Sequence, residues 1–300
     1  MCAWAPVAGQ GVAAQQERAQ SPKQSLILPL LFTELHLSVV DKNGNPVDAL
    51  RPESFHVKED GLEQKVIYLK HDDEPISIGI VIDRNGRMTD TVRSENEAAI
   101  RFLKASNPED EFFLIDFNQH VELVTDTDTL NARLAERSAA GGTALLDAVY
   151  LGLTQMGRAH NRRKILVIVS DGKENKGRYK ESEVVEFARQ TDIQINGLEA
   201  FRLPGYGKTE EEQQWPDILG GLCRAGGGQM VRVTNPDGLS AAATKMAENL
   251  RAQYVIRYYP SNGKRDGRWR TLKVKVDVPT ELYPAQVFTR NGYYGPIPVH

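Results

Sequence analysis

The chain has 300 residues, of which 40% are hydrophobic and 26% are charged, and its formal net charge at pH 7 is -3. These values are typical of a globular protein of one to three domains, and they exclude a strongly basic surface for nucleic acid. No run reaches the roughly 20 apolar residues that cross a bilayer, so we expect neither a nucleic-acid partner nor a membrane span.

Residues 1–28 differ in composition from the rest of the chain. Ala, Gly, Gln and Pro dominate this segment, and the stretch from Ala3 to Gly9 is typical of the end of a signal peptide. The charged start and most of the apolar centre of such a peptide are missing. We therefore predict either a disordered tail or the remnant of a signal peptide whose true start lies upstream of the recorded one.

Alternating apolar and polar residues predict β-strands near both ends of the chain. Leu35 to Val39 show this alternation, and Leu272 to Val278 show it again. Each block alone is close to the size below which a hydrophobic core rarely supports itself. We therefore predict that residues 29–72 and residues 253–300 pair into one β-sandwich, with the central segment inserted between them.

The central segment, residues 73–252, alternates strand and helix patterns, which predicts an α/β domain with a doubly wound, mostly parallel sheet. Its first strand is the apolar run that starts at Ile76 and stops at Asp83. A strong amphipathic helix pattern runs from Leu145 to Leu153, and Thr143 comes just before it. In such sheets, ligands bind beyond the carboxyl ends of the strands.

Three motifs place polar side chains at this edge. They are Asp83-Arg84-Asn85-Gly86-Arg87-Met88, the segment from Gly141 to Ala148 that contains Thr143, and the strand that ends in Ser170-Asp171-Gly172. In order and spacing they resemble the von Willebrand factor A domain, in which Asp-x-Ser-Gly-Ser-Met, a threonine and a later aspartate form a metal-ion-dependent adhesion site. The resemblance implies a Rossmann-like fold and a ligand site at Asp83, Thr143 and Asp171.

The chain departs from the family pattern at the two serines, which are Asn85 and Arg87 here. Asn85 still offers a carbonyl oxygen, but the guanidinium of Arg87 has only donors and keeps its positive charge. We therefore predict a degenerate ligand-binding site made of Asp83, Asn85, Arg87, Thr143 and Asp171, with Arg87 as a tethered substitute cation. No cofactor is expected, because Arg87 disfavours Mg²⁺; a metal, if one bound, would use the other four residues.

The span from about Leu35 to Gly295 also resembles a group of extracytoplasmic von Willebrand factor A-related proteins known mainly from Acidobacteria. The matching segments are Val39 to Val47, Phe55 to Gly61, Arg163 to Val167, and Asn291 to Tyr294. Membership implies a periplasmic or secreted protein of bacterial origin. The group has no established ligand, so the resemblance names no partner.

An enzyme is not expected. The sequence has no Gly-x-Ser-x-Gly elbow, no Walker loop and no Gly-x-Gly-x-x-Gly fingerprint, and its six histidines are scattered. We predict a non-enzymatic, adhesion-type module that recognises a protein or cell-surface partner at the degenerate site. The alternatives are a structural envelope protein whose site is vestigial and, less favoured, a metal-assisted hydrolase.

Two basic stretches remain open to a second interpretation. The first holds Arg158, Arg162, Arg163 and Lys164, and the second runs from Lys264 to Lys275. Cations near a helix C-terminus complement its dipole, and lysines on an exposed strand discourage edge pairing, so neither stretch requires a ligand. Contact with an acidic polysaccharide or with lipid phosphates is the alternative.

Overall fold

The computed structural model describes residues 32–86, 92–104, 107–135, 139–200, 217–233 and 236–297. The strands are β1 (Thr33–Val40), β2 (Phe55–Glu59), β3 (Leu62–Gln64), β4 (Val66–His71), β5 (Ile76–Asp83), β6 (Glu111–Phe117), β7 (Val121–Val124), β8 (Arg163–Ser170), β9 (Gln194–Glu199), β10 (Met230–Arg232), β11 (Tyr254–Tyr258), β12 (Trp269–Val276), β13 (Gln286–Phe288) and β14 (Gly292–Tyr294). The helices are α1 (Val92–Lys104), α2 (Thr127–Ala135), α3 (Leu145–Met156), α4 (Glu181–Arg189), α5 (Ile218–Gly226) and α6 (Pro236–Arg251). None of these helices is both long and apolar enough to cross a membrane.

The central sheet has the strand order β10-β9-β8-β5-β6-β7 within the described residues. All its neighbours pair in parallel except β6 and β7. Helices α1, α2 and α6 pack on one face of the sheet, and α3, α4 and α5 pack on the other. The predicted doubly wound α/β fold is confirmed.

Strand β5 lies at the middle of this sheet, and all eight of its residues are buried. Burial on both faces explains why its sequence is nearly continuous Ile and Val rather than an alternation. Gly79 is required because the side chains of its partners on the two neighbouring strands fill the space beside it: a Cβ there would lie 2.3 Å from the Phe113 ring and 2.6 Å from Leu166. The strand therefore delivers Asp83 to the sheet edge from a rigid position.

The two ends of the chain combine in two antiparallel sheets, β13-β1-β11-β4 and β14-β12-β2-β3. Strand β1 pairs with β11, with Leu35 opposite Ile256, and β12 pairs with β2, with Val274 opposite Val57. Both sheets contribute to one hydrophobic core, to which Leu272 also belongs. An additional antiparallel β-region is thus built from segments more than 180 residues apart, whereas the exact domain boundaries stay a prediction.

Candidate functional site

Asp83 is fully buried at the carboxyl end of β5, where both of its carboxylate oxygens accept hydrogen bonds. Oδ1 accepts from the backbone N–H of Asn85 at 3.0 Å, and Oδ2 accepts from the Ser170 hydroxyl at 2.6 Å. Burial, followed by the nearby charge of Asp171, raises the pKa of Asp83 to about 7. The structure therefore brings Asp83 and Asp171, two of the predicted site residues, to one place.

Ser170 was not among the predicted site residues, although it ends strand β8 beside β5. Its hydroxyl donates to Asp83 and accepts from the backbone N–H of Gly172 at 3.1 Å. It thus fixes the buried carboxylate relative to the turn that carries Asp171. The signal in the sequence was its position at the end of an apolar strand, directly before the acid.

Thr143 is buried between the Asp83 loop and the segment that follows Asp171. Its backbone N–H donates to the Asn175 side-chain oxygen at 2.9 Å, and its carbonyl accepts from the N–H groups of Asn175 and Lys176. Glu174 continues this contact, because its Oε2 accepts from the N–H of Leu146 in the first turn of α3 at 2.8 Å. The loop after β8 therefore clamps the threonine segment to the sheet edge.

The Asp83 loop meets the same segment through its backbone. The N–H of Ala140 donates to the carbonyl of Arg84 at 2.9 Å, and the N–H of Gly86 donates to the carbonyl of Gly141 at 3.2 Å. Asn85 is buried between them. Four of the five predicted site residues thus lie on interlocked loops, and the fifth, Arg87, lies outside the described residues.

Arg84 is a buried charge that the sequence interpretation missed. Its Nη2 donates to Oδ1 of Asn96 at 2.7 Å, and its Nε lies 3.5 Å from the carboxylate of Asp116. Its Nη1 lies 3.9 Å from the carboxylate of Glu95, which is fully buried in α1. The guanidinium therefore joins the Asp83 loop to α1 and β6, and none of these ion-pair contacts is to Asp83.

A hard divalent cation takes about six oxygen ligands, with carboxylates preferred. No group of three or more His, Cys, Asp or Glu in the described ranges is placed to hold a metal ion. The carboxylates here are Asp83 and Asp171, and Thr143 and Asn85 are the neutral candidates. An ion at this edge would therefore depend largely on neutral oxygens and water, and its affinity would be sensitive to any fixed positive charge nearby.

Replacing Glu174 by alanine is expected to lower the free energy of unfolding by about 1 to 2 kcal/mol. The change removes the acceptor for Leu146 N–H, and it also removes Oε1, which accepts from the N–H groups of Lys176 and Gly177 at 2.9 and 2.7 Å. Urea unfolding measures the effect. Glu97→Ala, at an exposed position of α1, is the control and should stay within about 0.5 kcal/mol of wild type.

The family model of the von Willebrand factor type A domain matches residues 78–174, which include most of β5, the threonine segment and all of β8. No curated protein matches the chain in sequence.

Similar solved structures include a von Willebrand factor type A protein from Catenulispora acidiphila, 11% identical over 86% of this chain and 73% of that one, with a TM-score of 0.49. An aerotolerance-related membrane protein from Bacteroides fragilis is 16% identical over 57% of this chain and 98% of its own, with a TM-score of 0.42. The pilus adhesin SpaC from Lactobacillus rhamnosus GG is 11% identical over 87% of this chain and 49% of its own, with a TM-score of 0.48. The match to the family model over residues 78–174 and the doubly wound central sheet show that this chain contains a von Willebrand factor type A domain.

Proposed function

We propose that the chain is a non-enzymatic interaction module that binds a protein or cell-surface partner at the edge formed by Asp83, Asn85, Thr143 and Asp171. Von Willebrand factor type A domains are typically interaction modules. The observation that supports this edge is the convergence of two carboxylates and a buried threonine on interlocked loops, at the end of the sheet where ligands of α/β folds bind.

Partner capture tests the proposal. Immobilised protein is incubated with envelope extracts of the producing organism, and the captured partner is quantified for wild type and two charge-matched variants. Asp171→Ala alters the proposed edge, whereas Asp192→Ala removes an exposed acid just before β9, at the other end of the sheet. We expect Asp171→Ala to abolish capture and Asp192→Ala to leave it unchanged. Equal capture by both variants would contradict binding at this edge.

We propose further that binding at this edge is independent of a divalent cation. Arg87 follows Asp83 by four residues, so it adds a permanent positive charge to the loop in which the family carries a serine. A guanidinium can satisfy two carboxylates through charge-assisted hydrogen bonds without an ion.

We therefore expect wild-type protein to bind Mg²⁺ or Mn²⁺ no more tightly than about 1 mM, because a fixed cation repels a metal ion. The Asn85→Ser, Arg87→Ser double change should produce measurable affinity, and adding Asp171→Ala to it should remove that affinity again. Calorimetry measures all three proteins. Micromolar binding by the wild type would overturn the metal-independent proposal while leaving the partner-capture test intact.

The second candidate function is a structural envelope protein that makes its contacts through the β-region. One observation favours it: the large apolar side chains exposed in the described part of the chain all belong to the terminal β-region. They are Phe32, Leu62, Ile67, Tyr68, Tyr259, Tyr283, Tyr294 and Ile297. Capture that survives Asp171→Ala but is lost on Ile67→Ser and Tyr68→Ser would favour this candidate.

The extracytoplasmic setting is also a proposal, and it rests on the resemblance to the acidobacterial group. Fractionation of producing cells tests it, with a cytoplasmic enzyme as the marker for leakage. We expect the protein in the periplasmic or extracellular fraction. Recovery with the cytoplasmic marker alone would contradict the proposal.

A further inference from the structure

A cleft of about 350 Å³ lies between the central sheet and the β-region. Its walls include the start of β1, the start of β8, the segment before β9, and residues close to β14. This volume is at the lower end of the range of small-molecule sites, which occur preferentially at such junctions. The cleft is therefore large enough for a ligand of about the size of a monosaccharide.

The cleft is distant from the Asp83 edge. Arg163, which lines it, is the first residue of β8, whereas Ser170, which contacts Asp83, is the last. Seven residue steps along a strand correspond to about 23 Å. A ligand in the cleft would thus be separate from a partner bound at the Asp83 edge.

Positive charge predominates in the cleft. Its walls contain five cationic side chains, Arg162, Arg163, Lys164, Arg189 and Arg290, and two carboxylates, Glu34 and Asp192, a difference of three charges. His36 lies there as well. The first basic stretch of the sequence therefore contributes three of its residues to one concave surface.

The two carboxylates are already engaged. Glu34 accepts from Arg162 at 2.5 Å and from Arg257 at 2.6 Å, so one carboxylate serves two guanidinium groups. Asp192 pairs with Arg290. Lys164 has no ion pair within the described residues, so its charge remains available to a ligand.

Arg163 adds a desolvated charge to the same wall. Its Nη2 donates to the Leu250 carbonyl, but its Nε and Nη1 are buried and donate no hydrogen bond. The nearest carboxylate, Asp72, is 3.5 Å from Nε and also contacts His36 at 2.8 Å. Burial lowers the pKa of Arg163 to about 10, which is the expected response of a cation with incomplete compensation.

Gln253, another residue that lines the cleft, supplies a hydrogen-bond acceptor. Its Nε2 donates to Ser38 and Gln194, at 3.0 and 2.7 Å, whereas its buried Oε1 accepts no hydrogen bond. A buried acceptor without a donor is unfavourable, and a ligand hydroxyl could supply that donor after a small side-chain shift. The walls thus combine positive charge for an oxyanion with an acceptor for a hydroxyl.

We propose that this junction cleft binds a small hydroxylated oxyanion, the chemistry shared by sugar acids and sugar phosphates. Guanidinium groups bind carboxylate and phosphate oxygens in the same bidentate manner, so the two sources must be separated by experiment. The proposal does not depend on the function proposed for the Asp83 edge.

Calorimetry with glucuronate, glucose 6-phosphate and neutral glucose tests the proposal. We expect one or both anions to bind with a Kd of about 1 mM or tighter, and glucose to bind at least tenfold more weakly. Tighter binding of glucuronate would identify a carboxylate ligand, and tighter binding of glucose 6-phosphate a phosphate ligand. Equal binding of glucose and both anions, or no binding of either anion at about 10 mM, would overturn the proposal.

Three charge variants locate the binding. Lys164→Gln is expected to weaken anion binding about fivefold, and Asp192→Asn, which removes a carboxylate from the wall, should strengthen it by a similar factor. Arg93→Gln removes an equally positive but exposed side chain from α1 and is the control. If Arg93→Gln weakened binding as much as Lys164→Gln, the anion would be responding to net charge alone, and the cleft proposal would be wrong.

Discussion

Replacing Arg84 by alanine is expected to lower the free energy of unfolding by about 3 to 5 kcal/mol. The side chain is buried, donates to Asn96, and lies within 4 Å of the carboxylates of Glu95 and Asp116. Without the guanidinium, two carboxylates would remain close together in a medium of low dielectric constant. Their mutual repulsion and their loss of pairing produce the large effect.

Urea unfolding of a matched set checks this result. Arg93→Ala removes an exposed arginine of α1, the helix that carries Glu95 and Asn96, and should change stability by less than about 0.5 kcal/mol. Adding Asp116→Asn to Arg84→Ala should recover at least about 1 kcal/mol, because it removes one of the two negative charges that faced the guanidinium. A loss below about 1 kcal/mol for Arg84→Ala would show that the buried network contributes little to folding.

The central sheet was predictable because its strands carry their own signal. Strand β5 is a continuous apolar run bounded by a turn, and the helix after Thr143 repeats apolar residues at intervals of three and four. Both patterns arise because the surfaces that a strand or a helix buries require apolar residues at fixed positions. The pairing of the two chain ends was also predictable in kind, since neither alternating block could bury its apolar face alone.

Short elements that depend on distant partners were not predicted. Strand β14 has three residues and exists through its pairing with β12. Helix α2 is mostly polar and packs through Leu130 and Leu134. Two apolar residues are too few to produce a recognisable helical pattern in the sequence. In each case the stabilising contact is with a residue that local sequence does not identify.

The same limit applies to the candidate site. Asp83, Thr143 and Asp171 came from a resemblance between motifs, not from physical chemistry alone. The hydroxyl of Ser170 and the guanidinium of Arg84 were missed because their partners lie 87 and 12 residues away, respectively. The junction cleft was beyond prediction for a related reason: its walls come from both ends of the chain and the middle.

Replacing Asp83 by asparagine is expected to stabilise the protein at pH 8, by up to about 4 kcal/mol, and to have little effect at pH 4. The folded-state pKa of Asp83 is about 7, compared with 3.8 for an ordinary exposed aspartate. Between these two values the folded state holds a proton that the unfolded chain has released. Wild-type stability from this group is therefore fully present below pH 3.8, falls as the pH rises towards 7, and stays low above it.

Asparagine is isosteric with the protonated carboxyl group and carries no charge, so it removes the repulsion with Asp171 at every pH. Its side-chain oxygen can still accept from the N–H of Asn85, and the Ser170 hydroxyl can rotate to accept from the amide. Urea unfolding of both proteins at pH 4 and pH 8, with a chelator present, measures the difference. Asp192→Asn, at a side chain that is 84% exposed, should differ from wild type by less than about 0.5 kcal/mol at both values.

The sign of the difference at pH 8 also tests the role of Arg87. If a guanidinium or a metal ion paired tightly with Asp83 in solution, its pKa would be lowered, and Asp83→Asn would destabilise the protein at pH 8. Stabilisation would instead mean that the buried carboxylate is ionised at a net cost, so that Arg87 compensates Asp171 rather than Asp83. If Asp83→Asn destabilised the protein at pH 8 in the presence of chelator, the result would contradict the raised pKa of Asp83. It would also mean that the cation paired with Asp83 belongs to the protein and is not a metal ion.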